Sequence, residues 1–155
     1  MSRYFIIHAD ADRKWAKWIG GQLEALGNSS HIYERPREDK TSYSWISRRL
    51  EAQDKIVCVL SSAYLDFAAA PTGLSEDQPL RACRSHPHLA YVFIVEPCDV
   101  PSGCEVFAQC EIFGIPEIWA RQRLREFIMR RTFDFCPSGL RAEEGRYSSQ
   151  GASTA

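Results

Sequence analysis

The stretch YFIIHADADRKWAKWIGGQLEAL, residues 4–26, changes from a strand pattern to a helix pattern within a few residues. Its start lies in residues 3–8, whose mainly apolar side chains are typical of a strand buried on both faces. From Asp12 onward large apolar residues recur at helical spacing, and Gly27 is a natural helix stop. The stretch therefore predicts a buried strand that leads directly into an amphipathic helix.

The same change of pattern recurs along the chain. Strands are also predicted at residues 29–34, 55–62, 88–96 and 109–113, and helices at residues 43–53 and from Pro116 onward. Strands that alternate with helices and are apolar on both faces indicate a parallel sheet. We therefore expect a flavodoxin-like doubly wound α/β fold, with a five-stranded parallel sheet and helices on both faces. The domain is expected to occupy residues 1–133, and the small polar residues of 134–155 predict a disordered tail.

The composition argues against several classes of protein. The chain has 155 residues, of which 45% are hydrophobic, and this is enough for one compact domain. A formal net charge of -1 gives no general attraction to nucleic acid or to an anionic membrane. No apolar run is long enough to span a bilayer, and the N-terminus lacks the pattern of a signal peptide. Six scattered cysteines without metal-ligand spacing indicate reduced thiols in a cytoplasmic protein, with no metal site.

Polar segments follow the first three predicted strands: HADAD (8–12), ERPRED (34–39) and SSAYL (61–65). Because parallel strands end at one edge of a sheet, we expect these segments to meet on a rim at the carboxyl ends, where doubly wound folds bind ligands. One of the acids Asp10 and Asp12 is expected to cap the following helix, which leaves the other to face the rim. His8 is either a structural histidine or a rim group that titrates near neutral pH.

The motifs of two doubly wound families are absent. The chain has neither G-x-G-x-x-G nor a glycine-rich turn followed by Lys-Ser/Thr, so it carries no phosphate-binding loop. A phospho-receiver domain needs an acidic pair after the first strand, an aspartate after the third strand and a later lysine. Here the third strand ends in Ser61-Ser62, and the only lysines stand at positions 14, 17, 40 and 55, which excludes the receiver pattern.

Four segments, in the same order, resemble those of bacterial Toll/interleukin-1 receptor (TIR) domains. The opening YFIIHADADRKWAKWIGGQLEALG is similar to the family's first strand, its His/Asp-containing turn and its W-A-x-W-I helix. WISRRLEAQDKIVCVLSSAYL resembles the second helix, the third strand and the S-x-x-Y-L motif of the family. LAYVFIVEPCDVP resembles the family's fourth strand and the loop after it. EIFGIPEIWARQRLREFI resembles the family's fifth strand and its final helix. The resemblance covers about residues 4–131.

The resemblance implies an activity on NAD+, since many bacterial TIR domains cleave its nicotinamide–ribose bond, often in antiphage defence. A carboxylate beside the ribose stabilises the oxocarbenium-like charge that the leaving nicotinamide creates. The family places this glutamate about nine residues after the tyrosine of S-x-x-Y-L, which is Tyr64 here, but Gly73 stands at that position. The nearest carboxylates are Glu76 and Asp77, and Glu76 is the implied catalytic residue. The alternative for Glu76 is a helix-start position, with Ser75 as the cap.

The resemblance also implies that NAD+ binds as a substrate, without a separate cofactor. The implied binding residues are His8, Asp10, Arg35, Trp45, Ser61 and Tyr64. Arg35 either pairs with a phosphate or keeps its loop soluble. Trp45 either stacks on the adenine ring, contacts a partner protein or packs at the edge of the core.

TIR domains also associate with one another, and this gives the alternative function. Position 73 lacks the glutamate, Ile7 and His8 replace the family's serine and tyrosine, and Arg35 stands where an acidic residue is common. The chain is then a catalytically degenerate module that binds itself or another TIR protein as an adaptor or filament. Opposite charges in the loop ERPREDKTSY (34–43) would pair head to tail, and Tyr43 or Trp45 would supply the apolar contact.

Overall fold

The computed structural model of the protein describes residues 1–33, 42–68, 78–100 and 104–134. Strands and helices alternate along these ranges. The strands are β1 (Arg3–Ile7), β2 (Ser29–Ile32), β3 (Lys55–Leu60), β4 (Ala90–Ile94) and β5 (Ala108–Glu111). The helices are α1 (Arg13–Ala25), α2 (Ser42–Glu51), α3 (Ser62–Ala68), α4 (Gln78–Cys83) and α5 (Glu117–Asp134). Short 3₁₀ turns precede α1, β4 and β5.

The sheet is parallel throughout its five strands, in the order β2-β1-β3-β4-β5. This confirms the predicted flavodoxin-like, doubly wound fold. From β1 the chain moves outward to β2 and then returns past β1 to β3. The strand order therefore switches between β1 and β3, which pair with Ile7 opposite Cys58 near their carboxyl ends. A ligand site of a doubly wound fold is expected at this switch point.

Apolar side chains fill the space on both faces of the sheet, because successive residues of a strand point to opposite sides. On one face, α2 contributes Ile46 and Leu50, which pack against residues that include Phe5, Ile7 and Cys58. On the other face, α1 and α5 lie together, and their buried residues pack against Tyr4, Ile6 and Val57. The continuous apolar runs of β1 and β3 follow from this burial on two sides.

Helix α1 ends at Ala25, just before Gly27, the residue that the sequence predicts as the helix stop. This glycine has a φ of 88°, a left-handed conformation that side chains with a Cβ rarely adopt. Its N–H donates to the carbonyl of Glu24 at 2.9 Å, which satisfies one carbonyl of the last turn.

The start of α1 differs from the prediction that Asp10 or Asp12 caps the helix. A 3₁₀ turn over Asp10–Asp12 comes first, with Ala9 at its N-cap position, and α1 follows with Asp12 at its own N-cap position. Neither start has a side-chain capping hydrogen bond. The capping prediction is wrong because the Asp12 carboxylate accepts a hydrogen bond from the Ser61 hydroxyl after β3 instead.

The other differences concern element boundaries. The strands are one to four residues shorter than predicted from the sequence, and residues 63–85, which the sequence left unassigned, include most of α3 and all of α4. Helix α5 reaches Asp134, one residue beyond the predicted domain boundary, while the rest of the predicted tail lies outside the described residues. Across the described ranges no helix combines the length and the apolarity that a membrane span needs.

The cysteines that the structure describes are all free thiols, and burial raises the pKa of several of them. It raises the pKa of Cys83 to about 12. Burial also raises the pKa of Cys110 to about 11, against an opposing effect of the nearby Arg123. The pKa of the half-buried Cys98 is raised as well, first by burial and then by the carboxylates of Glu96 and Asp99.

We expect alkylation of the folded protein to reach Cys98 before Cys83 and Cys110. The thiolate is the reactive form, and a raised pKa keeps a thiol protonated at neutral pH. Cys98 is half-buried, whereas the other two are buried, so reagent access favours it further. Peptide mass spectrometry after brief iodoacetamide treatment at about pH 8 measures the order, with guanidinium-unfolded protein as the reference. Labelling of Cys83 in the folded protein as fast as in the unfolded chain would contradict the prediction.

Candidate functional site

Two of the three predicted rim segments meet at the carboxyl-terminal edge of the sheet. Strands β1 and β3 are neighbours and end at Ile7 and Leu60, so the segments HADAD and SSAYL follow them side by side. The hydrogen bond between Asp12 and Ser61 joins the two segments directly. The third segment, ERPRED at 34–39, lies outside the described residues, together with Arg35.

Asp12 and Ser61 form a buried link across the switch point. The Ser61 hydroxyl donates to Oδ2 of Asp12, and both residues are buried. The Ser61 oxygen also accepts a hydrogen bond of 3.0 Å from the backbone N–H of Tyr64, which satisfies a donor at the start of α3. One serine thereby holds the first turn of α3 and the turn before α1 in a fixed relation. No local pattern predicted this link, because its two residues are 49 positions apart in the chain.

His8 and Asp10 are the predicted site residues that remain accessible on the described rim. Asp10 is exposed and His8 is half-buried. Nδ1 of His8 lies 2.7 Å from the carbonyl oxygen of Ala9. Since a carbonyl only accepts, Nδ1 carries the proton, and Nε2 of the neutral ring is then an acceptor. The rim thus offers a carboxylate and an imidazole nitrogen, both of which can accept hydrogen bonds from sugar hydroxyls.

Trp45 and Tyr64 are packed into the protein. Tyr64 is buried. The half-buried indole of Trp45 stacks on the ring of Tyr33, with centroids 4.3 Å apart, and meets the ring of Phe5 edge-on at 5.1 Å. Of the roles that the sequence left open for Trp45, the structure therefore shows packing at the edge of the core. Glu76, the predicted catalytic residue, lies outside the described residues.

A second concave region lies beside the rim, at the carboxyl ends of β4 and β5. It is an open cleft of about 790 Å³, and its walls include the apolar side chains of Leu65, Ile94 and Phe113 and the acids Asp99 and Glu111. Nearby, the carboxylate of Glu96 accepts a 2.9 Å hydrogen bond from the backbone N–H of Ser62 at the start of α3. This cleft is displaced from the β1–β3 switch point towards the β5 edge, and no motif in the sequence predicted it.

In the described part of the chain, no three His, Cys, Asp or Glu side chains are grouped so that they could hold a metal ion.

Comparison with known proteins gives one family match. The sequence model of the TIR domain matches residues 5–108. No curated protein matches the chain. Among solved structures, a response regulator receiver domain protein from Bacillus halodurans is 11% identical, with a TM-score of 0.47 over 81% of this chain and 96% of its own. A 3-dehydroquinate dehydratase-like protein from Bifidobacterium longum is 12% identical, with a TM-score of 0.44 over 82% of this chain and 95% of its own.

The two structural similarities are too distant to bear on function. The family match is independent of them and spans more than half of the chain, from β1 to the start of β5. It covers the switch point and both rim segments that the structure brings together. On this basis the chain belongs to the TIR domain family.

Proposed function

We propose that this TIR domain cleaves NAD+ at the nicotinamide–ribose bond and acts in signalling or defence. The observation that supports the proposal is the buried Asp12–Ser61 link, which holds the ends of β1 and β3 together at the switch point. Beside it, His8 and Asp10 stay accessible on the rim. A rim whose buried part is held by this hydrogen bond and whose accessible part carries polar side chains suits a nucleotide substrate.

The roles follow from the charge that develops during the reaction. Departure of the cationic nicotinamide leaves positive charge on the ribose, and a carboxylate next to the sugar stabilises it. The carboxylate of Asp12 is buried and hydrogen-bonded to Ser61, so it is not free to contact the substrate. We assign the charge-stabilising role to Glu76. Asp10 and His8 accept hydrogen bonds from ribose hydroxyls, and Arg35 pairs with the pyrophosphate.

Release of free nicotinamide tests the proposal. The purified full-length protein is incubated with NAD+ under molecular crowding, and nicotinamide is quantified by chromatography. We expect nicotinamide to accumulate in proportion to protein concentration. The matched control is the Glu76→Gln protein prepared identically, which reveals any contaminating activity. No release by either protein, even at high concentration, would overturn the enzymatic proposal, whereas equal release by both would show that Glu76 is not the catalytic residue.

Association with another TIR domain is a second candidate function, and exposed apolar residues at the start of α5 favour it. Ile118 and Trp119 are 66% and 59% exposed. Large aromatic side chains are enriched in protein interfaces, and here the neighbouring Glu117 accepts a hydrogen bond from the indole of Trp18, which ties this surface to α1. Trp45 is less suited to an interface contact, because it packs against Phe5 and Tyr33.

We expect Trp119→Glu to abolish self-association, because it replaces one of the two exposed apolar side chains, Ile118 and Trp119, with a charged one. Sedimentation velocity at high protein concentration and low salt measures the effect. Met129→Glu is the matched control, since Met129 lies on the same helix and is 63% exposed. A wild-type protein that stays monomeric, alone and with TIR proteins from the same genome, would refute association through this surface. Equal loss in the Met129→Glu variant would refute it as well.

A further inference from the structure

A group of cationic side chains lies at the amino-terminal edge of the sheet, opposite the rim. Lys55 is the first residue of β3. Strand β4 runs parallel to β3, with Ala90 opposite Ile56, so both strands begin at this edge. The 3₁₀ turn Pro87–Leu89 precedes β4 on this edge. Arg131, near the end of α5, reaches the same turn and donates a hydrogen bond of 3.2 Å to the carbonyl of Pro87. Three separate elements thus converge here.

Both cations are held against the buried ring of Tyr91. Nζ of Lys55 lies 5.8 Å from the centroid of this ring and 5.4 Å from that of Tyr4. The guanidinium carbon of Arg131 lies 5.6 Å from the centroid of Tyr91. Burial lowers the pKa of Lys55, and the charge of Arg131 lowers it further, which shows that the two positive groups repel each other. Burial lowers the pKa of His88 beside them, and the charges of His86, Arg131 and Lys55 lower it further.

No described carboxylate forms an ion pair with Lys55 or Arg131. The neighbouring Asp54 is already engaged, because Arg3 binds it at 2.9 and 3.1 Å and Arg49 lies 3.7 Å away. Burial raises the pKa of the Tyr91 phenol, so this hydroxyl stays neutral and supplies no negative charge. The positive charge at this edge therefore lacks a counter-charge among the described residues.

Cation–π contacts and the carboxyl end of the α5 dipole explain part of this arrangement. They do not supply a full negative charge beside Lys55 and Arg131. Both side chains are only half-buried, so an external anion can reach them and would provide the missing counter-charge.

We propose that Lys55 and Arg131 bind a phosphate-type anion at the amino-terminal edge of the sheet. A phosphate group presents several oxygens, which match the planar fork of an arginine and the compact ammonium group of a lysine at the same time. Its double charge offsets both cations. The site lies at the opposite end of the sheet from the proposed NAD+ site, so an anion bound there does not contact the reacting groups. Free phosphate and a phospholipid headgroup share the chemistry that it recognises.

Titration of inorganic phosphate into the full-length protein tests the proposal. Chloride keeps the ionic strength constant, and binding is followed by calorimetry and by the melting temperature, which rises when a ligand binds only the folded state. We expect Lys55→Met and Arg131→Met each to weaken binding about tenfold or more. The matched control is Arg130→Met, which removes the same charge from the exposed neighbour of Arg131 and should leave affinity unchanged.

Vesicles distinguish the two sources of the anion. Phosphatidylcholine vesicles with and without phosphatidic acid are assayed by co-sedimentation with the same variants. Binding of phosphatidic acid vesicles but not of inorganic phosphate, lost in Lys55→Met, supports the proposal and assigns a lipid headgroup. Circular dichroism shows whether each variant folds. If Arg131→Met does not fold, the binding measured with Lys55→Met decides the test. The proposal is overturned if neither probe binds above chloride, or if Arg130→Met weakens binding as much as Lys55→Met.

Discussion

Glu76→Gln is expected to abolish nicotinamide release while leaving the melting temperature nearly unchanged. Glutamine keeps the size and much of the hydrogen bonding of glutamate, but it lacks the negative charge that stabilises the oxocarbenium-like ribose. Removal of such an electrostatic contribution typically costs about 10²–10³ in turnover, so the variant should approach background. Measurement of nicotinamide release over time, with a parallel thermal melt, separates a catalytic loss from unfolding.

Asp77→Asn is the matched control for Glu76→Gln. It removes the neighbouring carboxylate in the same chemical way and should leave turnover within about twofold of wild type, since a charge outside the reacting geometry contributes little. If Glu76 only favours a helix start, Glu76→Gln would leave turnover intact and lower stability by about 0.3–1 kcal/mol. Full activity in Glu76→Gln would show that the catalytic assignment is wrong.

Asp12→Ala is expected to lower the free energy of unfolding by about 2 kcal/mol, in the range for a hydrogen bond with a charged partner. The substitution leaves the buried Ser61 hydroxyl without its acceptor and removes the link between the turn before α1 and the start of α3. Urea denaturation, analysed at constant m-value, measures the change. The exposed Asp10 is the control, and Asp10→Ala should stay within about 0.5 kcal/mol of wild type.

A double-mutant cycle isolates the Asp12–Ser61 interaction. Ser61→Ala removes the donor to Asp12 and also the acceptor for the Tyr64 N–H, so it should cost at least as much as Asp12→Ala. The double variant should then cost clearly less than the sum of the single variants, because the two residues act as one unit. Additive effects, or a cost of Asp12→Ala no greater than that of Asp10→Ala, would contradict a structural link at the switch point.

Local patterns in the sequence were sufficient for the elements and for their order. The apolar run of β1 and the helical spacing in α1 depend on backbone periods of two and 3.6 residues, which each segment expresses by itself. Gly27 marked the helix end because the left-handed conformation required there favours glycine. The alternation of strands and helices then favoured a parallel sheet, which placed HADAD and SSAYL at one edge before any contact was known.

Tertiary structure alone decided which side chains meet. The local pattern predicted Asp12 as a possible helix cap, but the fold brings Ser61 to it from 49 positions away, and the buried hydroxyl donates a hydrogen bond to the carboxylate. The same holds for Trp45, whose packing depends on Phe5 in β1 and on Tyr33, which directly follows β2. Lys55 and Arg131 meet at Tyr91 only because β3, β4 and the end of α5 converge. A pattern along the chain records which face a residue occupies, whereas its partners across the sheet follow from strand order and packing between distant segments.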